Sequence, residues 1–94
     1  MKLAGNVEWR VTDDSIFIVD TESNKVLSGN VSVKIVFEEM LSGAEEKEKI
    51  AEIIIEKYNI DIEECKEIYQ DVSDVVSFLC EEGIFEWTER YWII

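Results

Sequence analysis

The chain has 94 residues, is 47% hydrophobic, carries a net charge of −13, and contains neither histidine nor proline. That length suits one domain over 1–94, with a core that three Trp, three Tyr and four Phe can fill without metal or disulfide staples. No apolar run approaches the ~18 residues of a membrane span and no signal-peptide apolar segment opens the chain, so a cytoplasmic, non-membrane protein is expected.

The charge is uneven: net −2 over residues 1–30, −3 over 31–60 and −8 over 61–94. A nucleic-acid partner needs cations to displace phosphate counterions, and an anionic membrane surface needs them too, so both are excluded as partners. A zinc site normally takes four Cys/His ligands, and two cysteines without histidine cannot supply them. Cys65 and Cys80 are expected on the inner face of one helix as small hydrophobes. A disulfide between them would need that helix broken, because fifteen helical residues span roughly 22 Å.

Val7, Trp9 and Val11 alternate with Glu8 and Arg10, the period of a half-buried strand. Thr12-Asp13-Asp14-Ser15 is a turn, and Ile16-Phe17-Ile18-Val19 suits a central strand. After a second turn at Thr21-Glu22-Ser23-Asn24, Lys25-Val26-Leu27-Ser28 makes a third, short strand, and an antiparallel meander connects the three economically. The period then becomes helical: Val33, Val36, Phe37, Met40 and Leu41 share one face, with Asn30 or Ser32 as its cap. Ser42-Gly43 stops that helix, and Ser42 with Glu45 fits a capping box opening a second one over about 44–58. Its inward residues are Ile50, Ile53, Ile54 and Tyr58, and Glu45→Lys49 is a stabilising pair. Asp61 is expected to cap a third helix with Ile62, Cys65, Ile68, Tyr69, Val72, Val75, Val76 and Leu79 inward, ending at Gly83. Ile84-Phe85-Glu86-Trp87 reads as a short strand, and the apolar Tyr91-Trp92-Ile93-Ile94 as a tail that packs on the core or makes a homodimer contact. The fold class is therefore α+β: a three-stranded antiparallel sheet followed by three helices, winged helix-turn-helix-like, with a short C-terminal strand.

The last helix carries a resemblance. Asp71-Val72, Val76, Leu79 and Gly83-Ile84 fall at the offsets of the closing helix of PqqD-like domains, and Lys57-Tyr58-Asn59-Ile60 resembles their Tyr-Asp-Val turn. Their Leu-Asn-x-x-Ala-x-x-Ile-Trp pattern is matched by Leu27, with Ser28 in place of Asn and Val36-Phe37 in place of the Ile-Trp pair, at looser spacing. The resemblance covers roughly residues 7–84 and implies a module that binds the leader segment of a ribosomally synthesised precursor peptide. It implies that the leader adds as a strand to the third strand, at Lys25, Val26, Leu27 and Ser28, against a wall of Ile68, Tyr69, Val72, Ser73 and Val76 on the third helix. Either Leu27 or Val26 points to the core. Tyr69 is read as a groove aromatic or as core with its hydroxyl at the surface, whereas for Val72 and Val76 core packing is the favoured reading. Asp71 and Asp74 would meet cationic leader residues or form a solvated face. The implied partner enzyme is a leader peptidase, as in lasso-peptide pathways, a radical-SAM enzyme or a cyclase.

Three other classes of function compete with this one. A DNA-binding winged helix would place its third helix in the major groove, yet residues 61–82 hold eight Asp/Glu and one Lys. An enzyme would need a nucleophile–base pair, a phosphate loop or a metal cluster, and the sequence shows none, so no catalytic residue and no cofactor is expected. A small acidic interaction or regulatory subunit with the same fold stays open as the alternative.

Overall fold

A computed structural model describes residues 2–44 and 46–86. Nine elements follow in order: β1 (Lys2–Leu3), β2 (Val7–Val11), β3 (Ser15–Asp20), β4 (Lys25–Asn30), α1 (Val31–Leu41), α2 (Lys47–Lys57), a 3-10 turn (Ile62–Glu64), α3 (Cys65–Glu81) and β5 (Phe85–Glu86). The expected meander forms, with β3 central in the order β2-β3-β4 and both pairings antiparallel. Asn24, at φ 60, takes the left-handed position of the β3–β4 turn, which Asn tolerates better than most residues.

Register assigns the faces. Ile16 lies opposite Val11 and Gly29, and Ile18 opposite Trp9 and Leu27, so these residues share the face that α1 covers. Phe17, Val19, Val26, Ser28, Glu8 and Arg10 occupy the other face. Ile16 and Ile18 are excluded from solvent, and Val36, Phe37 and Met40 of α1 seal them. Phe37 is fully buried between two aromatic rings: Trp9 at 5.5 Å and Phe85 at 5.4 Å, the latter edge-on. Burying such a side chain contributes ~2–3 kcal/mol. Helix α1 can lie this close to the sheet because Gly29 has no side chain, since a Cβ there would sit 2.6 Å from Val33 Cβ. Ile50, Ala51 and Ile54 of α2 and Val72, Val76 and Leu79 of α3 complete the core.

Caps and ends explain the departures from expectation. Asn30 caps α1 by accepting from the Ser32 and Val33 N–H groups, so the helix begins two residues earlier than its apolar period. Ser42 does not open α2, which starts only at Lys47 with Glu46 in the cap position, and its hydroxyl donates back to the Glu38 carbonyl. Glu45, and with it the Glu45→Lys49 pair, lies outside the described residues; Lys49 approaches Glu52 at 3.9 Å. Asp61 caps no α-helix with its side chain, because a 3-10 turn intervenes and leaves Ile62 89% exposed. Tyr58, expected inward, is half-exposed at the end of α2. Cys65 and Cys80 are only partly buried. Gly83 takes the left-handed conformation expected at the end of α3, with φ 76. The C-terminal strand pairs with β1, an element absent from the sequence reading, in the register Lys2↔Glu86 and Leu3↔Phe85. Trp87 and the Tyr91–Ile94 tail lie outside the described residues.

Candidate functional site

The open side of β4 follows from hydrogen-bond parity. The Thr12 N–H donates to the Ser15 carbonyl and the Thr21 N–H to the Asn6 carbonyl, fixing both ends of the β2–β3 ladder. Stepping by two between these ends, Phe17 and Val19 turn their main-chain groups toward β2. Ile16, Ile18 and Asp20 therefore turn theirs toward β4, where they meet Gly29, Leu27 and Lys25. The intervening β4 residues, Val26 and Ser28, direct their N–H and C=O groups away from the sheet, into the position a further strand would fill. Leu27 points inward and packs against the core, whereas the Val26 side chain is 62% exposed on the outer face.

This edge runs beside α3. Lys25, at the start of β4, forms an ion pair with Glu82, the residue that closes α3. At the other end, Asn30 leads into α1, whose Ser32 lines a cavity of about 250 Å³ with the first half of α3. Strand and helix thus run in opposite directions along one groove. Apart from Ser32, the Tyr58 side chain and Asp71, the cavity is lined by aliphatic residues: Ile35, Val36, Ile54, Ile60, Ile68, Val72 and Val75.

The candidate residues separate around α3. Ile68, Asp71 and Val75 line the cavity, and Glu82 touches β4, so this stripe of the helix faces the groove. Val72 and Val76 are 2% and 0% exposed and belong to the core, Val72 reaching the cavity floor. Ser73 lies on the flank turned to α2, where the Lys47 ammonium donates to Ser73 Oγ at 3.5 Å and Ser77 Oγ at 3.3 Å. Tyr69 shares that flank, four residues before Ser73 and about 100° around the helix from Ile68, and is 39% exposed. The groove residues that sequence reasoning missed are Val75 and Glu82. Val75 was legible only as an inward apolar position, and Glu82 only as one more acid, because their neighbour β4 is set by tertiary packing.

The groove's electrostatics are acidic: Asp71 stands at the cavity and Glu82 at the far end, where Lys25 pairs with it, while α3 carries Glu67, Asp74 and Glu81 elsewhere against Lys66. Burial pushes the Cys80 thiol up from its ordinary pKa, outweighing the Lys47 ammonium, which pulls the other way, so it is a poor nucleophile. Among the described residues no group of three or more His, Cys, Asp or Glu is placed to hold a metal ion, and no helix is long and apolar enough to cross a membrane.

One solved structure shares this architecture across nearly its whole length. TbiB1, solved in complex with the TbiA(beta) leader peptide, superposes with a TM-score of 0.74 at 17% identity, covering 92% of this chain and 95% of that one. The two chains have the same fold. No family model and no curated protein matches this chain.

Proposed function

We propose that this chain is a cytoplasmic peptide-recognition adaptor that binds the leader of a ribosomally synthesised precursor peptide. It presents that peptide to a separate tailoring enzyme or leader peptidase and performs no catalysis itself. The observation that carries this reading is the outward-facing main chain of Val26 and Ser28, set beside α3 on a fold shared with a protein solved with a leader peptide. The leader strand would exchange hydrogen bonds with those two residues, giving affinity tolerant of sequence. Specificity would come from an apolar leader side chain in the cavity among α1, α2 and α3, and from leader cations meeting Asp71 and competing with Lys25 for Glu82. Of the wall first expected, Ile68 keeps a direct role, Val72 forms the cavity floor, and Val75 joins them.

The test is fluorescence anisotropy with a labelled synthetic leader from the precursor gene adjoining that of this chain. Saturable binding, lost on scrambling the leader, is expected. A folded protein with no affinity for that leader, alone or with the neighbouring enzyme added, would overturn the reading and favour a subunit with another protein partner.

A further inference from the structure

Among the described residues the sheet has a second open edge. By the same parity, Glu8 and Arg10 of β2 spend their main-chain groups on β3, and Trp9 and Val11 direct theirs outward on the side away from β3. Trp9 and Val11 are also 43% and 42% exposed, large values for residues on the core-facing side of the sheet. An open depression of about 820 Å³ lies along this strand, lined by Val7, Glu8, Trp9, Arg10, Phe17 and Val19. An exposed sheet edge is normally blunted by charge, twisted away or covered. Here the strand reads Val7-Glu8-Trp9-Arg10-Val11, a sequence that complements itself when reversed.

We infer that β2 is the contact between two copies of this chain, paired antiparallel about a two-fold axis at Trp9. Under that axis Trp9 faces Trp9 of the second copy, Glu8 faces its Arg10, Arg10 faces its Glu8, and valines 7 and 11 face each other. The interface is isologous, as a closed dimer requires. The Trp9 pair exchanges two main-chain hydrogen bonds. Val11 adds one N–H to the opposite Val7 carbonyl on each side, while the Val7 N–H stays with Ala4 of its own chain. The Glu8–Arg10 pairs fall at the non-hydrogen-bonded positions, where cross-strand side chains approach most closely. Both charges are exposed and on the same outer face, so each carboxylate meets a guanidinium without being desolvated. The chain's overall −13 opposes association at long range, but at about 0.15 M salt it is screened beyond ~8 Å whereas contact pairs are not. The product is a six-stranded sheet in the order β4-β3-β2-β2-β3-β4. Both β4 edges stay open at its ends, so this contact is independent of the peptide site.

The test is sedimentation equilibrium on the intact chain from micromolar to near-millimolar concentration, with circular dichroism to show that each variant is folded. Wild type should show a reversible monomer–dimer equilibrium. Arg10→Glu alone, or Glu8→Arg alone, places like charges opposite one another and should abolish the dimer. The exchange Glu8→Arg with Arg10→Glu restores complementarity and should recover the wild-type dissociation constant within about threefold, a rescue that an unrelated interface would not produce. A wild type that is monomeric throughout, or single reversals that leave its dimer intact, would overturn the inference. Hydrogen exchange at the Trp9 and Val11 amides assigns the monomeric outcome: slow exchange means another segment of the same chain covers the edge, and fast exchange means nothing does.

Discussion

Val26→Pro separates a peptide-binding edge from a merely exposed one. The Val26 N–H makes no bond to β3, and its side chain is 62% exposed, so proline there removes no ladder bond and little packing. The stability change should stay below about 1 kcal/mol, the range of surface substitutions. On the open side the ring removes an outward donor, and the carbonyl of an incoming strand is left without a partner. An orphaned buried acceptor costs ~1–3 kcal/mol, so the leader's dissociation constant should rise about 5- to 150-fold at ~1.4 kcal/mol per tenfold. Anisotropy titration with the labelled leader gives the binding term and a urea melt gives the stability. Leu27→Pro is the internal control. Its N–H bonds into the Ile18 pair and its side chain packs on the core, so it should unfold the domain. A folded Val26→Pro protein that bound the leader as wild type does would refute strand addition at β4.

The position of the groove around α3 can be tested by truncation. Ile68→Ala should weaken leader binding by about 1 kcal/mol, roughly fivefold, while Tyr69→Ala, on the other flank, should change it less than about twofold; the reverse order in the same titration would move the peptide to the α2 side. Gly29→Ala should cost ~1–3 kcal/mol in denaturant melts, because the new Cβ would lie 2.6 Å from Val33 Cβ, an atom anchored to α1 that cannot swing aside. An unchanged melt would show that α1 yields freely. Asp20 governs a pH dependence. Desolvation raises its pKa, but hydrogen bonds from the Glu22 and Ser23 N–H groups and from Asn6 together outweigh that and hold it below the usual carboxylate value. A group with a lowered folded pKa stabilises the fold above its unfolded pKa of about 4 and loses that contribution as pH falls through the folded value. Melting midpoints should therefore drop below about pH 4, and less so for Asp20→Asn; identical acid limbs would remove Asp20 from the account.

What the sequence revealed tracks how local each signal is. The strand 7–11, the central run Ile16–Val19 and the stop at Gly83 rest on side-chain period and backbone preference within a few residues, and they formed as expected. The order of elements followed from those local signals, which is why the fold class was legible. The Asp61 cap failed because the chain first makes a tighter 3-10 turn, and Ser42 does not cap the second helix because that helix starts only at Lys47, with Glu46 in the cap position. Strand β1 went unseen because two residues carry no period, and it exists only by pairing with β5, more than 80 residues away. The same logic divides the candidate site. Strand β4 was placed correctly at the edge, but which flank of α3 adjoins it depends on the helix's rotation over the core. Tyr69 and Ile68 are neighbours in sequence and lie about 100° apart on that helix, so apolar character alone could not choose between them.

The Lys2↔Glu86 and Leu3↔Phe85 pairings tie the two ends of the described chain together across one antiparallel strand pair, about 5 Å wide. Because Lys2 and Glu86 form the outermost pair, tension applied between those two residues would unzip this ladder one pair at a time rather than shear it. The clasp is therefore mechanically the weak point of the described fold, while the β2-β3-β4 meander lies outside the line of load.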